Sequence, residues 1–243
     1  MRWVRDPTGR FPQRPHYDLP EFDDECEALV NDFLHQKRGS ARYPVETNDL
    51  AILLERETDD LDLYADLTLE GESVEGVTDF FPGRKPKVRI TRELSDDPRR
   101  ENRLRTTIAH ELGHVHFHSV LWSFDQSMRV PLFLEHAGMH SPRCRRDTVL
   151  GARSGDWLEW QAGYASGAFL MPVSAVRSVV AAFVEEEGCF GLPSLQTMIG
   201  HGIIHRIQGS FRVSSDAARI RLLQLRLVSE HPPVPTLFTA PGT

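Results

Sequence analysis

The chain has 243 residues, of which 40% are apolar and 26% charged, with a formal net charge of −7. This is ordinary globular composition, sized for one domain with an appendage or for two small domains. The acidic balance argues against a molecule built as a whole to bind nucleic acid. Cys26, Cys144 and Cys189 form no C-x-x-C pair, so a disulfide framework is not expected and a reducing compartment is. The first residues lack the apolar stretch of a secretory signal, and no run approaches 18 apolar residues. The expectation is a soluble, cytoplasmic protein.

Residues 1–20 hold Pro7, Pro12, Pro15 and Pro20 with little apolar pattern, which predicts an extended or disordered N-terminal segment. A helix is predicted over 21–38, with Phe22, Cys26, Leu29, Val30, Phe33 and Leu34 on one stripe and Gly39 as its stop. A second short helix is predicted from Asp49 to Arg56. From Leu61 to Leu69 apolar and polar residues alternate, the period of a half-buried strand. Val74 to Phe81 and Lys87 to Thr91 follow as further strands. Together they predict a small antiparallel sheet. Ser95, Asp96 and Pro98 then mark the start of a helix of about 20 residues carrying Leu104, Ile108, Leu112 and Val115.

Within that helix lies His110-Glu111-Leu112-Gly113-His114, an H-E-x-x-H pattern. With 11 His in the chain, chance would produce the pattern about 0.04 times per chain of this composition. Residues four apart are rotated by about 400° on a helix, so both imidazoles leave one face about one turn apart and can share a Zn2+. Glu111 lies about 100° round the helix, the place for a general base that is not itself a ligand. The pattern therefore predicts zinc chemistry of the peptidase kind.

Residues 119–155 contain Pro131, Gly138, Pro142, Gly151 and Gly155 beside the basic run Arg143-Cys144-Arg145-Arg146, and read as a long loop with a short helix near Phe133 to His136. Helices are predicted over Asp156 to Leu170 and, with Ser174 as cap, Ala175 to Glu187. Residues 191–228 read as a separate C-terminal unit of two short helices resembling a helix-turn-helix, with Ser214 as N-cap. The proline-rich tail, 229–243, is expected to be disordered. Charge is unevenly spread. Residues 55–79 carry ten acids against Arg56, and residues 193–228 carry five arginines against Asp216.

A catalytic zinc needs a third protein ligand. The spacing after His114 holds Phe117 and Val120 where a metzincin would have Gly and His. Glu135, 21 residues after His114, and Glu159, 45 residues after it, remain. Glu159 is favoured because Ala162, Gly163, Ser166 and Gly167 put small residues on its helix face, which permits close approach of a second helix. For an oxyanion stabiliser His136, His140, His201 and His205 stand unranked, and His140 with Cys144 is a weak candidate for a second metal.

The run H-E-L-G-H-x-x-x-H, then E-x-x-A with L-M-P at 170–172, then F-x-V-S-x-x-A-x-x-x-R-L-x-x-L from Phe211, resembles the ImmA/IrrE family of zinc metallopeptidases over roughly residues 45–228. Gly163 and Ala165-Ser166 stand where that family usually has Asn and Phe-Ala. The resemblance implies an α+β fold with a zincin-like core over 21–190, a small sheet packed on the H-E-x-x-H helix, and an edge strand that lines the cleft. It implies His110, His114 and Glu159 on zinc, Glu111 as base, His118 beside the ligands, and a helix-turn-helix repressor as the protein substrate. Two other functions compete: an anti-repressor that binds without cutting, and DNA binding by the arginine-rich C-terminal unit, with nucleic acid not expected as the main partner.

Overall fold

A computed structural model describes residues 1–71, 73–123, 143–145 as a backbone strand, and 156–231. The N-terminal segment, expected to be extended or disordered, is a hairpin: β1 (Arg2–Arg5) pairs antiparallel with β2 (Gln13–His16). Its order comes from Asp6, whose buried carboxylate accepts from Thr8 N (2.9 Å), Phe11 N (3.0 Å) and Trp157 Nε1 (3.1 Å). Composition hid this, because the stabilising partner lies 151 residues away.

Helix α1 (Leu19–Arg38) opens with the Glu21 carboxylate accepting from Asp18 N and closes at Gly39, whose φ of 73° is left-handed. Helix α2 is Thr47–Glu57. Strands β3 (Asp60–Ala65), β4 (Val74–Asp79) and β5 (Lys87–Thr91) follow, and β6 (Arg143–Arg145) joins them in the order β3-β5-β4-β6. The predicted all-antiparallel sheet is thus mixed: β3 runs parallel to β5, while β4 is antiparallel to both β5 and β6. A turn of 3-10 helix at Thr68–Glu70 carries the chain past the β5 position, so β4 does not fold back on β3 as a hairpin. The alternation read through Leu69 therefore ends early; Leu67 is buried but Leu69 is fully exposed.

After a single turn, α3 (Arg92–Ser95), and a 3-10 turn at Pro98–Arg100 held by the Asp97 side chain on Arg99 N, the central helix α4 spans Glu101–His118. Thirteen of its 18 residues are buried, because β4 and β5 cover one side and α2 and α6 others. Helix α5 (Val120–Ser123) follows; the expected short helix near Phe133 to His136 lies outside the described residues. Helix α6 (Trp157–Leu170) is capped by Asp156 on Leu158 N. Helix α7 (Val173–Glu186) has Pro172 at its N-cap position, so Ser174 is not its cap but sits in the first turn, bonded to Glu27.

Helices α8 (Met198–Phe211) and α9 (Ser215–Gln224) complete the described chain, with Ser214 accepting from Ala217 N as expected. Their apolar residues Ile203, Ile207, Phe211, Ala218 and Leu222 join one core with Phe22, Ile108, Ala165 and Phe169. Two buried arginines fasten them. Arg221 donates to Asp23 Oδ1 (2.6 Å) and Met171 O (3.1 Å), while Tyr164 OH donates to Asp23 Oδ2 (3.0 Å). Arg105 on α4 donates to the carbonyls of Val45, Phe211 and Arg212. At the start of the tail, Ser229 exchanges backbone hydrogen bonds with the Pro193–Leu195 segment. Among the described residues no single helix is long and apolar enough to cross a membrane. The fold is mixed α+β.

Candidate metal centre

The site is built where α4 meets α6. Gly113 lets them touch: a Cβ there would lie 3.0 Å from Ala162 Cα, 3.1 Å from Ala162 O and 3.1 Å from Ala165 Cβ. Ser166 adds a bond from its hydroxyl to Thr106 O (3.1 Å). The small-residue argument thus holds for Ala162 and Ser166, joined by Ala165. Gly167 instead faces α9, where a Cβ would meet Arg221 Cδ and Gln224 Oε1 at 3.8 Å.

This contact brings three ligand-type side chains together. His110 Nε2 lies 3.1 Å from His114 Nε2 and 3.2 Å from Glu159 Oε2, and His114 Nε2 lies 3.4 Å from Glu159 Oε1. Both imidazoles have no exposure, and Glu159 is 8% exposed. These three residues can hold a metal ion. Two imidazole nitrogens and one carboxylate oxygen are the donor set of a three-ligand site that keeps a fourth position open. The alternative third ligand, Glu135, lies outside the described residues, as do His136 and His140.

Electrostatics follow from burial. Burial opposes charge on Glu159, but His114 and His110 outweigh it and hold the carboxyl well below the usual carboxylate range. Burial likewise opposes charge on His114, yet Glu159 and Glu111 raise its pKa. His110 is lowered, chiefly by burial. Glu111 is wholly buried one residue along, and burial pushes its carboxyl up to about 7 against the pull of His114 and Thr78.

Strand β4 shapes the Glu111 pocket. The Thr78 hydroxyl donates to Glu111 Oε2. A Cβ at Gly76 would overlap Glu111 Oε1 and come within 2.9 Å of its Cδ. Glu111 Oε1 is buried without a hydrogen-bond partner among the described residues, so one carboxylate oxygen is anchored by Thr78 and the other is not. Thr78 and Gly76 were not read as site residues from the sequence; a glycine inside the strand Val74–Asp79 was the available signal, since it marks a close approach of another group. The strand that meets Glu111 is also not an edge, since β6 pairs with β4 across Gly76.

The remaining histidines separate cleanly. His118 is buried against His114, with Nδ1 atoms 3.1 Å apart. Its own pKa is driven far down, first by burial and then by His114. His116 is turned to Glu25 (3.0 Å), and His201 and His205 lie exposed on α8. The acidic stretch is partly neutralised by later bases: Asp59 pairs with Arg84, Glu70 and Asp79 with Arg89, and Glu75 with Arg100 and Arg103. No protein-family model matches this chain, and no curated protein sequence matches it.

Proposed function

We propose that the chain is a zinc-dependent endopeptidase with a zincin-like core, acting as a regulatory protease on a helix-turn-helix repressor. The observation that carries the reading is the convergence of His110 Nε2, His114 Nε2 and the Glu159 carboxylate beside a buried Glu111 with one unpartnered oxygen. A Zn2+ bound by the three ligands would supply Lewis acidity for a peptide carbonyl and for water. Imidazole and carboxylate donors fit that ion, and no soft thiolate is among them.

Glu111 is the proton carrier. A carboxyl with a pKa near 7 can take a proton from water and return it to the leaving amine, since it is matched to neutral pH in both directions. Thr78 fixes which oxygen is free, and Gly76 keeps that oxygen uncrowded. Burial of the His pair keeps bulk water from both imidazoles.

The C-terminal arginines favour a docking role over DNA contact. Arg206 pairs with Glu186, Arg212 with Glu46 and Glu101, Arg219 with Glu230, and Arg221 with Asp23. Each paired arginine would have to break an ion pair to reach a phosphate.

The test is mass spectrometry of a candidate helix-turn-helix repressor after incubation with the zinc-loaded protein or its Glu111→Gln variant. The proposal expects two fragments from the wild type and an intact repressor from Glu111→Gln. Cleavage by Glu111→Gln at the native rate would refute the base assignment. A repressor bound but intact with both proteins would replace cleavage with the binding-only reading.

A further inference from the structure

A chain of buried hydrogen bonds leaves the metal centre at His114 Nδ1 and ends on the N-terminal hairpin. His114 Nδ1 meets His118 Nδ1 (3.1 Å), His118 Nε2 meets Gln161 Oε1 (3.0 Å), and Gln161 Nε2 donates to Pro15 O (3.1 Å). His114 and His118 have no exposure, Gln161 is 1% exposed, and Pro15 is buried.

The far end sets the direction of every bond. The Pro15 carbonyl can only accept, so the amide nitrogen of Gln161 must face it and the amide oxygen must face His118. That oxygen can only accept, so His118 carries its proton on Nε2. A neutral imidazole with a proton on Nε2 has a bare Nδ1, which accepts from His114 Nδ1–H. His114 is then left with a lone pair on Nε2, the atom that faces His110 and Glu159. No other assignment of protons to neutral rings satisfies all three contacts.

We infer that His118 and Gln161 are positioning residues that lock His114 in the tautomer able to bind a metal through Nε2, with the backbone carbonyl of Pro15 as the terminal acceptor. The inference rests on the metal-centre reading above. It gives the N-terminal hairpin a role at the site, since β2 supplies the acceptor. A second strut holds the same region. Asp6 accepts from Trp157 Nε1, and the Trp157 ring meets the His118 ring edge-on with centroids 5.6 Å apart. Outer hydrogen bonds of this kind hold ligand orientation and basicity, and removing them typically weakens metal binding by about 10- to 100-fold.

The test reads tautomers directly. Long-range 15N–1H NMR of the metal-free full chain should show His114 protonated on Nδ1 and His118 on Nε2. Gln161→Leu should leave a folded protein by circular dichroism, mix the tautomers of both rings, and weaken zinc binding about 10- to 100-fold. His118→Phe should weaken zinc similarly. His118→Gln, whose amide can accept from His114 and donate to Gln161, should recover most of the loss. A merely structural role would move stability but not the His114 tautomer. The inference is overturned if wild-type His114 carries its proton on Nε2, or if Gln161→Leu binds zinc within twofold of wild type. Failure of the wild type itself to bind zinc would remove the metal-centre reading, while the tautomer readout would still decide this one.

Discussion

Gly113→Ala is the substitution that most sharply links sequence, packing and site. Its new Cβ would stand 3.0 Å from Ala162 Cα and 3.1 Å from Ala162 O. Both atoms are backbone in the middle of α6, so no flexible side chain can swing aside. Carbon atoms settle at about 3.5–4.0 Å, so α4 and α6 must part by roughly 0.5–1 Å. Overpacking of this kind costs about 1–3 kcal/mol, offset in part by the roughly 1 kcal/mol that Ala gains over Gly inside a helix. Stability should therefore fall by no more than about 2 kcal/mol. The metal site should suffer more. Glu159 rides on α6 and the histidines on α4, and metal–ligand distances tolerate only about 0.2 Å. Zinc affinity should drop by about 10- to 100-fold, comparable with loss of an outer support. A competition titration with a chromophoric chelator measures the affinity, and urea unfolding of the metal-free protein measures the stability. Zinc binding within twofold of wild type, with unchanged stability, would refute the claim that this helix contact sets the ligand geometry.

Gly209→Ala serves as the contrast: it lies in α8 with nothing within 4 Å of a new Cβ, so urea unfolding should show a gain of about 1 kcal/mol with zinc affinity unchanged. Arg221→Met leaves Asp23 buried without its ionic partner, and urea unfolding should show a loss of about 3–5 kcal/mol; a loss below about 1 kcal/mol would mean that this pair does not fasten α9. Glu111→Gln should change the pH dependence of stability in chelator-treated protein. The Glu111 carboxyl rises from 4.5 to about 7 on folding, so the folded chain holds the extra proton between those values and stability falls as pH rises through them. The variant lacks that decline, so the two proteins should match near pH 4, and above pH 7 the variant should be more stable by up to about 3 kcal/mol. Equal stability of the two proteins at pH 8 would contradict the burial argument.

The helices were legible because each carries its own signals. Gly39 ends α1 and Ser214 caps α9, both as read from local residue types, and Asp156, read as the first residue of α6, is its cap. The ligand triad was legible for a related reason: His110 and His114 are bound by helical spacing, and small residues near Glu159 announced the close contact. What stayed hidden depends on partners distant in sequence. Nothing near Asp6 signals Trp157, so the N-terminal hairpin read as a loose lead-in. Alternation in Leu61 to Leu69 marks a strand but not its neighbour, so the parallel pairing of β3 with β5 was missed. The arginines in residues 193–228 read as a binding face because the acids that pair with four of them lie outside that stretch: Asp23, Glu46, Glu101 and Glu186 come from earlier in the chain and Glu230 follows it. Gln161 drew no notice because its meaning lies in His118 on one side and Pro15 on the other.

The central claim is that His110, His114 and Glu159 together bind one zinc ion, and it is tested most directly by zinc titration of three proteins: wild type, Glu159→Ala and Glu135→Ala. The account predicts one zinc per chain for wild type and for Glu135→Ala at similar affinity, and binding weakened by at least about 100-fold in Glu159→Ala, consistent with loss of a direct ligand rather than an outer support. Wild-type affinity in Glu159→Ala, with binding lost in Glu135→Ala, would contradict it.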